Sequence, residues 1–252
     1  MHPTMASHMP FNSKQRTLKF PDDQSVGRLY ATDDFVTEKF IGAARGHLSV
    51  PEQSSTKLKM SGDVSSKLAA LKSLSPNDLQ SLAITDAMVG ADDLAAIAHL
   101  KGIQTLHIAH CRVETKAFAH VARLSDLHSL SAWWSTVRDG AIEYIGQLRE
   151  LRKLDLSRTL VTGAGLERLT ELQHLKTLVL WNTDLNSAGI DAVSKLSSLE
   201  HLVLGGTVLS DEAAASLRKL SKLRLLDLSG TKVSETALVA FKQVSPDLLF
   251  VR

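Results

Sequence analysis

The chain has 252 residues, of which 44% are hydrophobic and 22% charged, and its net charge is only +2. Acids and bases are interspersed, which excludes the basic footprint of a nucleic-acid binder, and no run reaches the roughly 18 to 20 apolar residues of a membrane span. A single cysteine, Cys111, excludes an internal disulfide framework and suits a reducing compartment.

In chain order, residues 1–10 (MHPTMASHMP) read in part as a remnant of cloning, a tag or disordered segment outside the fold. The first 30 residues carry no apolar run of signal-peptide type, so the expected location is the cytoplasm, and secretion stays open if a leader was removed. Next come three short candidate strands, RTLKF, VGRLYAT and HLSVP, separated by the turn-forming PDD, GAARG and PEQSS. STKLKMSGDVSSKLAALKSLSPNDL follows as a degenerate unit, with Leu58 and Met60 in a strand and Leu68, Leu71 and Leu74 on a helix. Residues 11–78 are therefore expected to form a β-rich N-terminal cap plus this unit.

From residue 79 to 252 the chain repeats every 24 residues. Leu79, Ile103, Leu127, Leu151, Leu175, Leu199 and Leu223 open seven units, and the unit's fourth position is Leu82, Leu106, Leu130, Leu154, Leu178, Leu202 and Leu226. Within a unit the period switches. LRKLDLS alternates as a half-buried strand does, whereas GLERLTELQHL spaces leucines by three and four as a helix face does. Thr162, Asn186, Ser210 and Ser234 share the position before that helix and are expected to cap it. Strands settle about 4.8 Å apart and helices roughly 8 to 10 Å apart, so the stack must bend with the strands inside. SPDLLFVR adds a last strand after Pro246, whose unpaired edge offers a self-pairing surface.

LRKLDLSRTLVTGAGLERLTELQH resembles the leucine-rich repeat, and the resemblance, of bacterial type, spans residues 79 to 246. It implies an α/β solenoid, a horseshoe with a parallel β-sheet on the concave face, helices on the convex face and the small β-rich cap. It implies little about function, since a scaffold defines the family. In that family the ninth position holds an inward-facing polar residue bonding the turn. Here it reads Ala87, Cys111, Ser135, Thr159, Thr183, Thr207 and Thr231, so Cys111 and the four threonines are assigned structural roles.

In each strand the third, fifth and seventh positions line the hollow. They bring together Trp133 and Trp181 at position 7, two units apart with Ser157 between, and Val179, Val203 and Leu225 as an apolar strip. Gly205 and Gly206 leave room for close backbone approach, while Lys153, Asp155 and Arg158 border the strip, with His107 and His201 on the same wall. In SAWWSTVRDG, Ser131 and Ser135 read as solvent-facing around the tryptophans. Trp134 has two readings: filling the layer that small Ala132 leaves short, or displayed like Trp133. Aromatic anchors beside arginine with a polar rim match the composition of binding hot spots.

Chemistry elsewhere is thin. His107, His110 and His128 fall on adjacent units, but HIAHC does not converge on a metal, because His110 lies past the strand end. No secluded acid–base pair or phosphate loop is present, so neither an enzyme nor a cofactor is expected. The resulting expectation is a non-catalytic, monomeric scaffold binding a protein or peptide ligand through Trp133, Trp134, Trp181 and the residues around them. The alternatives are a substrate-receptor adaptor or enzyme-inhibitor subunit, and a structural self-assembly module pairing through the terminal strand edge. Against an adaptor stands a strand-rich segment 11–61 where a helical docking box is needed.

Overall fold

The computed structural model describes residues 14–32 and 38–252; the proposed tag at 1–10 lies outside them. An eleven-stranded sheet runs the length of the described chain. Nine of its strands are parallel, from Ser55–Ser61 through Ser81–Thr85, Thr105–Ala109, Ser129–Ser131, Lys153–Asp155, Thr177–Val179, His201–Val203 and Leu225–Asp227 to Leu249–Val251. Their register is the sequence period itself: Leu58, Leu82, Leu106, Leu130, Leu154, Leu178, Leu202 and Leu226 pair in one row. Every one of these leucines is fully buried. Leucines at equivalent places interdigitate because the ladder holds their backbones at strand spacing.

Upstream the sheet changes direction. Ser55–Ser61 pairs antiparallel with Arg28–Thr32, which pairs antiparallel with Lys39–Ala43. Gln15–Lys19 and His47–Pro51 form a separate antiparallel pair. The strand Lys39–Ala43 takes in the first half of GAARG, which reads as turn in the sequence; the bend tightens instead onto Gly46, whose φ is +61°. Phe40 explains the difference. Its ring lies 5.5 Å from that of Tyr30, a cross-strand aromatic pair that a polar-looking segment does not announce.

The convex face is less helical than its spacing suggests. Short α-helices occur at Ala91–Ala95, Phe118–Val121, Ile142–Ile145, Ser187–Val193, Asp211–Ser216 and Glu235–Val244, but GLERLTE forms only a 3-10 helix, Leu166–Glu171. Asn186, Ser210 and Ser234 cap as expected, accepting from the amides of Gly189, Ala213 and Ala237. Thr162 does not. Gly163 and Gly165 take φ of +106° and +86°, which delays the helix start to Gly165. Thr162 instead donates its amide and hydroxyl to the Asp139 carboxylate at 2.9 and 2.6 Å.

The ninth position closes the inner turn. Thr159, Thr183, Thr207 and Thr231 donate their hydroxyls to the carbonyls of Leu156, Leu180, Leu204 and Leu228 at 2.6–2.7 Å. The hydroxyls supply donors to carbonyls at the strand end, where those of Leu204 and Leu228 also accept from the amides of Thr207 and Thr231. Ser135 reaches back one unit, donating to the Ile108 carbonyl at 2.7 Å and accepting from the Cys111 amide at 3.0 Å. It is buried rather than solvent-facing, because the ninth position points inward. Cys111 does the same with its thiol, donating to the carbonyls of Ala109 and Ile84 at 3.2 and 3.6 Å.

Burial pushes the Cys111 thiol above its ordinary pKa. Less thiolate is therefore present at pH 8 in the folded chain than in the unfolded one, and access is closed as well. Iodoacetamide should alkylate Cys111 at least about tenfold more slowly in the native protein than in urea. Equal rates, followed by mass spectrometry, would contradict the structural role.

Candidate binding site

Beyond each strand the hydrogen-bond ladder continues by one rung. The amides of Asp86, His110, Trp134, Arg158, Asn182 and Gly206, all at the eighth position, donate to the seventh-position carbonyls of Ala109, Trp133, Ser157, Trp181, Gly205 and Ser229 in the next unit at 2.7–3.2 Å. Making that bond while turning away from the sheet forces the eighth residue into the left-handed region. Asp86, His110, Trp134, Arg158 and Asn182 have φ of 53–56°, and Gly206 and Gly230 have φ of +70° and +67°. A tryptophan there is strained by roughly 1 kcal/mol or more.

This geometry answers the question about Trp134. A left-handed backbone turns its side chain away from the Ala132 layer, and the indole is 49% exposed. Planar side chains at this position repeat at about ladder spacing, and in three consecutive units they stack. The imidazole of His110 lies 5.2 Å from the Trp134 ring with 21° between planes. On the far side, the Arg158 guanidinium carbon sits 4.3 Å from the Trp134 ring centre. Trp181 closes the stack, its ring centre 4.7 Å from the same guanidinium. Trp133 stands edge-on to both His110 and Trp134, with centroids at 4.5 and 5.8 Å. All three tryptophans of the chain thus belong to one cluster.

Arg158 bridges Trp134 and Trp181. Trp133 is 36% exposed and Trp181 half-buried. Trp181 lies flat over the next unit, where a Cβ on Gly205 would come within 2.7 Å of its Cδ1 and 2.6 Å of the Ser229 hydroxyl. Glycine at 205 is what admits the indole.

The remaining expected residues divide. Val179 and Val203 are in register and half-buried, but the next residue in their row is Asp227, while Leu225 lies one row over beside His201. Lys153 is exposed. Asp155 is tied inward, accepting from the Ser157 amide and hydroxyl at 3.0 and 2.6 Å and from the Ser131 hydroxyl at 3.3 Å. Ser157 is nonetheless buried, its hydroxyl held against the carboxylate two positions earlier on the same face of the strand. His107 is half-buried; desolvation, then the charges of Lys57 and Lys153, lower its pKa from the ordinary imidazole value. His201 is exposed, its Nδ1 3.4 Å from the Thr177 hydroxyl.

Two features escape the sequence reading. His110 reads there as a solvated residue beyond the strand; only its column, shared with Trp134 and Arg158, signals the stack. The cap carries a second cluster on the same wall. Arg28 lies over Phe40 at 4.9 Å, Lys59 over Tyr30 at 4.3 Å, and Glu38 accepts from Lys57 and Lys59 at 2.6 and 2.8 Å. Those two lysines hold the Glu38 carboxyl below its ordinary value. Among the described residues no group of three His, Cys, Asp or Glu could hold a metal ion, and no helix is long and apolar enough to cross a membrane.

A family model described as leucine rich repeat matches residues 173–233. No curated protein matches the chain. Among solved structures, an internalin from Listeria monocytogenes is similar with a TM-score of 0.53 at 19% identity, over 77% of this chain and 57% of that one. A leucine-rich-repeat protein of Leptospira interrogans gives 0.53 at 20% identity, over 74% of this chain and 50% of that one. The plant peptide hormone receptor RGFR1 in complex with RGF2 gives 0.52 at 18% identity, over 77% and 30%. The chain spans about half the length of the first two, and identities this low establish the fold alone.

Two substitutions separate display from packing at this site. Trp134→Asn, which suits a left-handed residue as Asn182 does, should change unfolding free energy by less than about 1 kcal/mol, relief of strain offsetting lost stacking. Leu154→Ala in the core should cost about 2 to 5 kcal/mol. A Trp134→Asn loss in the core range, measured by urea unfolding followed by circular dichroism, would make Trp134 a packing residue. Gly205→Ala should destabilise by about 1 to 3 kcal/mol through its clash with Trp181, and an unchanged urea midpoint would refute that contact.

Proposed function

Because the chain is a leucine-rich-repeat protein, we propose that it is a non-catalytic scaffold that binds a protein or peptide on its concave wall, centred on Trp133, Trp134 and Trp181. Leucine-rich-repeat folds commonly bind proteins, and one structurally similar protein is a peptide hormone receptor in complex with its ligand. The single observation carrying the reading is the exposure of Trp133 and Trp134 in a left-handed turn that strain disfavours and the core does not need. The positive φ belongs to the turn of every unit and glycine meets it at Gly206 and Gly230, so it is the placing of an exposed indole there that points to use.

The mechanism follows from rigidity. The ladder fixes the backbone on both sides of the turn, and His110 and Arg158 hold Trp134 between them. The indoles are ordered before a ligand arrives, so association loses little side-chain entropy. An apolar projection of the partner meets the indole of Trp133 and the Val179–Val203 row, where burial of apolar area supplies the affinity.

Panning a library of short random peptides on the immobilised protein tests this. Recovered peptides should quench the intrinsic tryptophan emission, and Trp181→Ala should weaken them by about 2 kcal/mol or more, about 30-fold in Kd. Peptides that bind Trp181→Ala as tightly as the parent would move the site elsewhere.

A further inference from the structure

We propose that Arg158 is a carboxylate receptor, and that the partner docks there with an Asp or Glu side chain from an acidic segment. The inference rests on the concave-wall reading above and adds the chemistry of the occupant. The guanidinium carbon lies 4.3 Å from the Trp134 ring centre and 4.7 Å from that of Trp181, indoles contributed by the units on either side of its own. Among the described residues no carbonyl or carboxylate accepts from its in-plane hydrogens; the Nε is buried, which leaves the two terminal nitrogens to meet a ligand. A planar fork flanked by two indoles, with its terminal nitrogens unmatched, suits bidentate binding of a carboxylate.

Treatment of the neighbouring charges makes the vacancy specific. In the cap, Lys57 and Lys59 are each matched by Glu38. In the unit that holds Arg158, the nearest candidate counter-ion, Asp155, already accepts from Ser157 and Ser131. Lys153 in that unit has no ion pair among the described residues either. One unit of the wall thus presents two unmatched cations, separated along the chain by at most about 16 Å. Two cations so placed favour a segment with several carboxylates over a lone chain terminus.

The test compares peptide pools panned on the wild-type chain and on Arg158→Gln, with recovered peptides resynthesised carrying amidated C-termini. The wild-type pool should be enriched in Asp or Glu at one position, and the Arg158→Gln pool should not. Replacing that Glu by Gln should raise Kd at least tenfold on the wild type and leave Kd on Arg158→Gln unchanged. Arg158→Lys, with charge but no planar fork, should fall between the two. Tryptophan emission reports occupancy, and urea midpoints check that each variant folds. Peptides that quench emission and depend on Trp181, yet show no acidic preference or bind Arg158→Gln equally, overturn the carboxylate assignment and leave peptide binding standing. Recovery of no peptide sensitive to Trp181→Ala overturns both.

Discussion

The structure depends on one constraint: the parallel ladder repeats with no slip, so residues 24 apart in sequence sit one strand spacing apart in space. Inside, this makes a column of leucines that bury one another. At the strand end it makes a column of hydroxyls that satisfy successive carbonyls. Past the strand end it makes a column of left-handed residues, whose side chains are surplus to the core and lie at a distance suited to planar stacking. Core, turn and site are three readings of one translation. A side chain's chemistry in this protein is decided first by its number within the unit.

The left-handed column shows how a structural necessity becomes an opportunity. The turn needs a positive φ whatever residue stands there, and at the C-terminal end glycine meets that need at Gly206 and Gly230. Earlier units carry His110, Trp134 and Arg158 under the same backbone strain. Each cation–π or aromatic contact in the stack contributes on the order of 0.5 to 2 kcal/mol, which is comparable with the strain of a left-handed side chain. The stack therefore adds little net stability. What it adds is a fixed arrangement of two exposed indoles and a cation, which a row of glycines cannot present.

Much of this was legible in the sequence, because period and hydrophobic pattern act along the chain. The hydroxyl ladder through Thr159 to Thr231 follows from the resemblance to the leucine-rich repeat, and the inward leucines and the caps at Asn186, Ser210 and Ser234 follow from spacing. So does the placing of Trp133 and Trp181 on one wall. What was not legible depends on backbone dihedrals and cross-strand geometry. Trp134 could not be separated from a core residue until its φ was known. Ser157 counts as an open wall residue until its bond to Asp155 and its burial are seen. His110 lies one residue beyond the alternating pattern and so falls outside the rule that identifies the wall. In the cap, Tyr30 and Phe40 meet only because two antiparallel strands extend a parallel sheet, a reversal that no period announces.

Charge on the wall follows a different logic from packing. A solenoid cannot hide a cation on its concave face, since each unit is flanked by others carrying the same backbone, so each charge is matched by a neighbour, hydrated or left for a ligand. Glu38 supplies the first solution for Lys57 and Lys59. Exposed Lys153 has the second available through its mobile stem. Arg158 lies against two indoles with its Nε buried, and the carboxylate three residues before it is bonded to serines, which leaves its terminal nitrogens open to water or to a ligand. Among the described residues, the same stacking that orders the aromatic surface also leaves its central cation in need of an acceptor, so affinity and selectivity at this wall have a common physical origin.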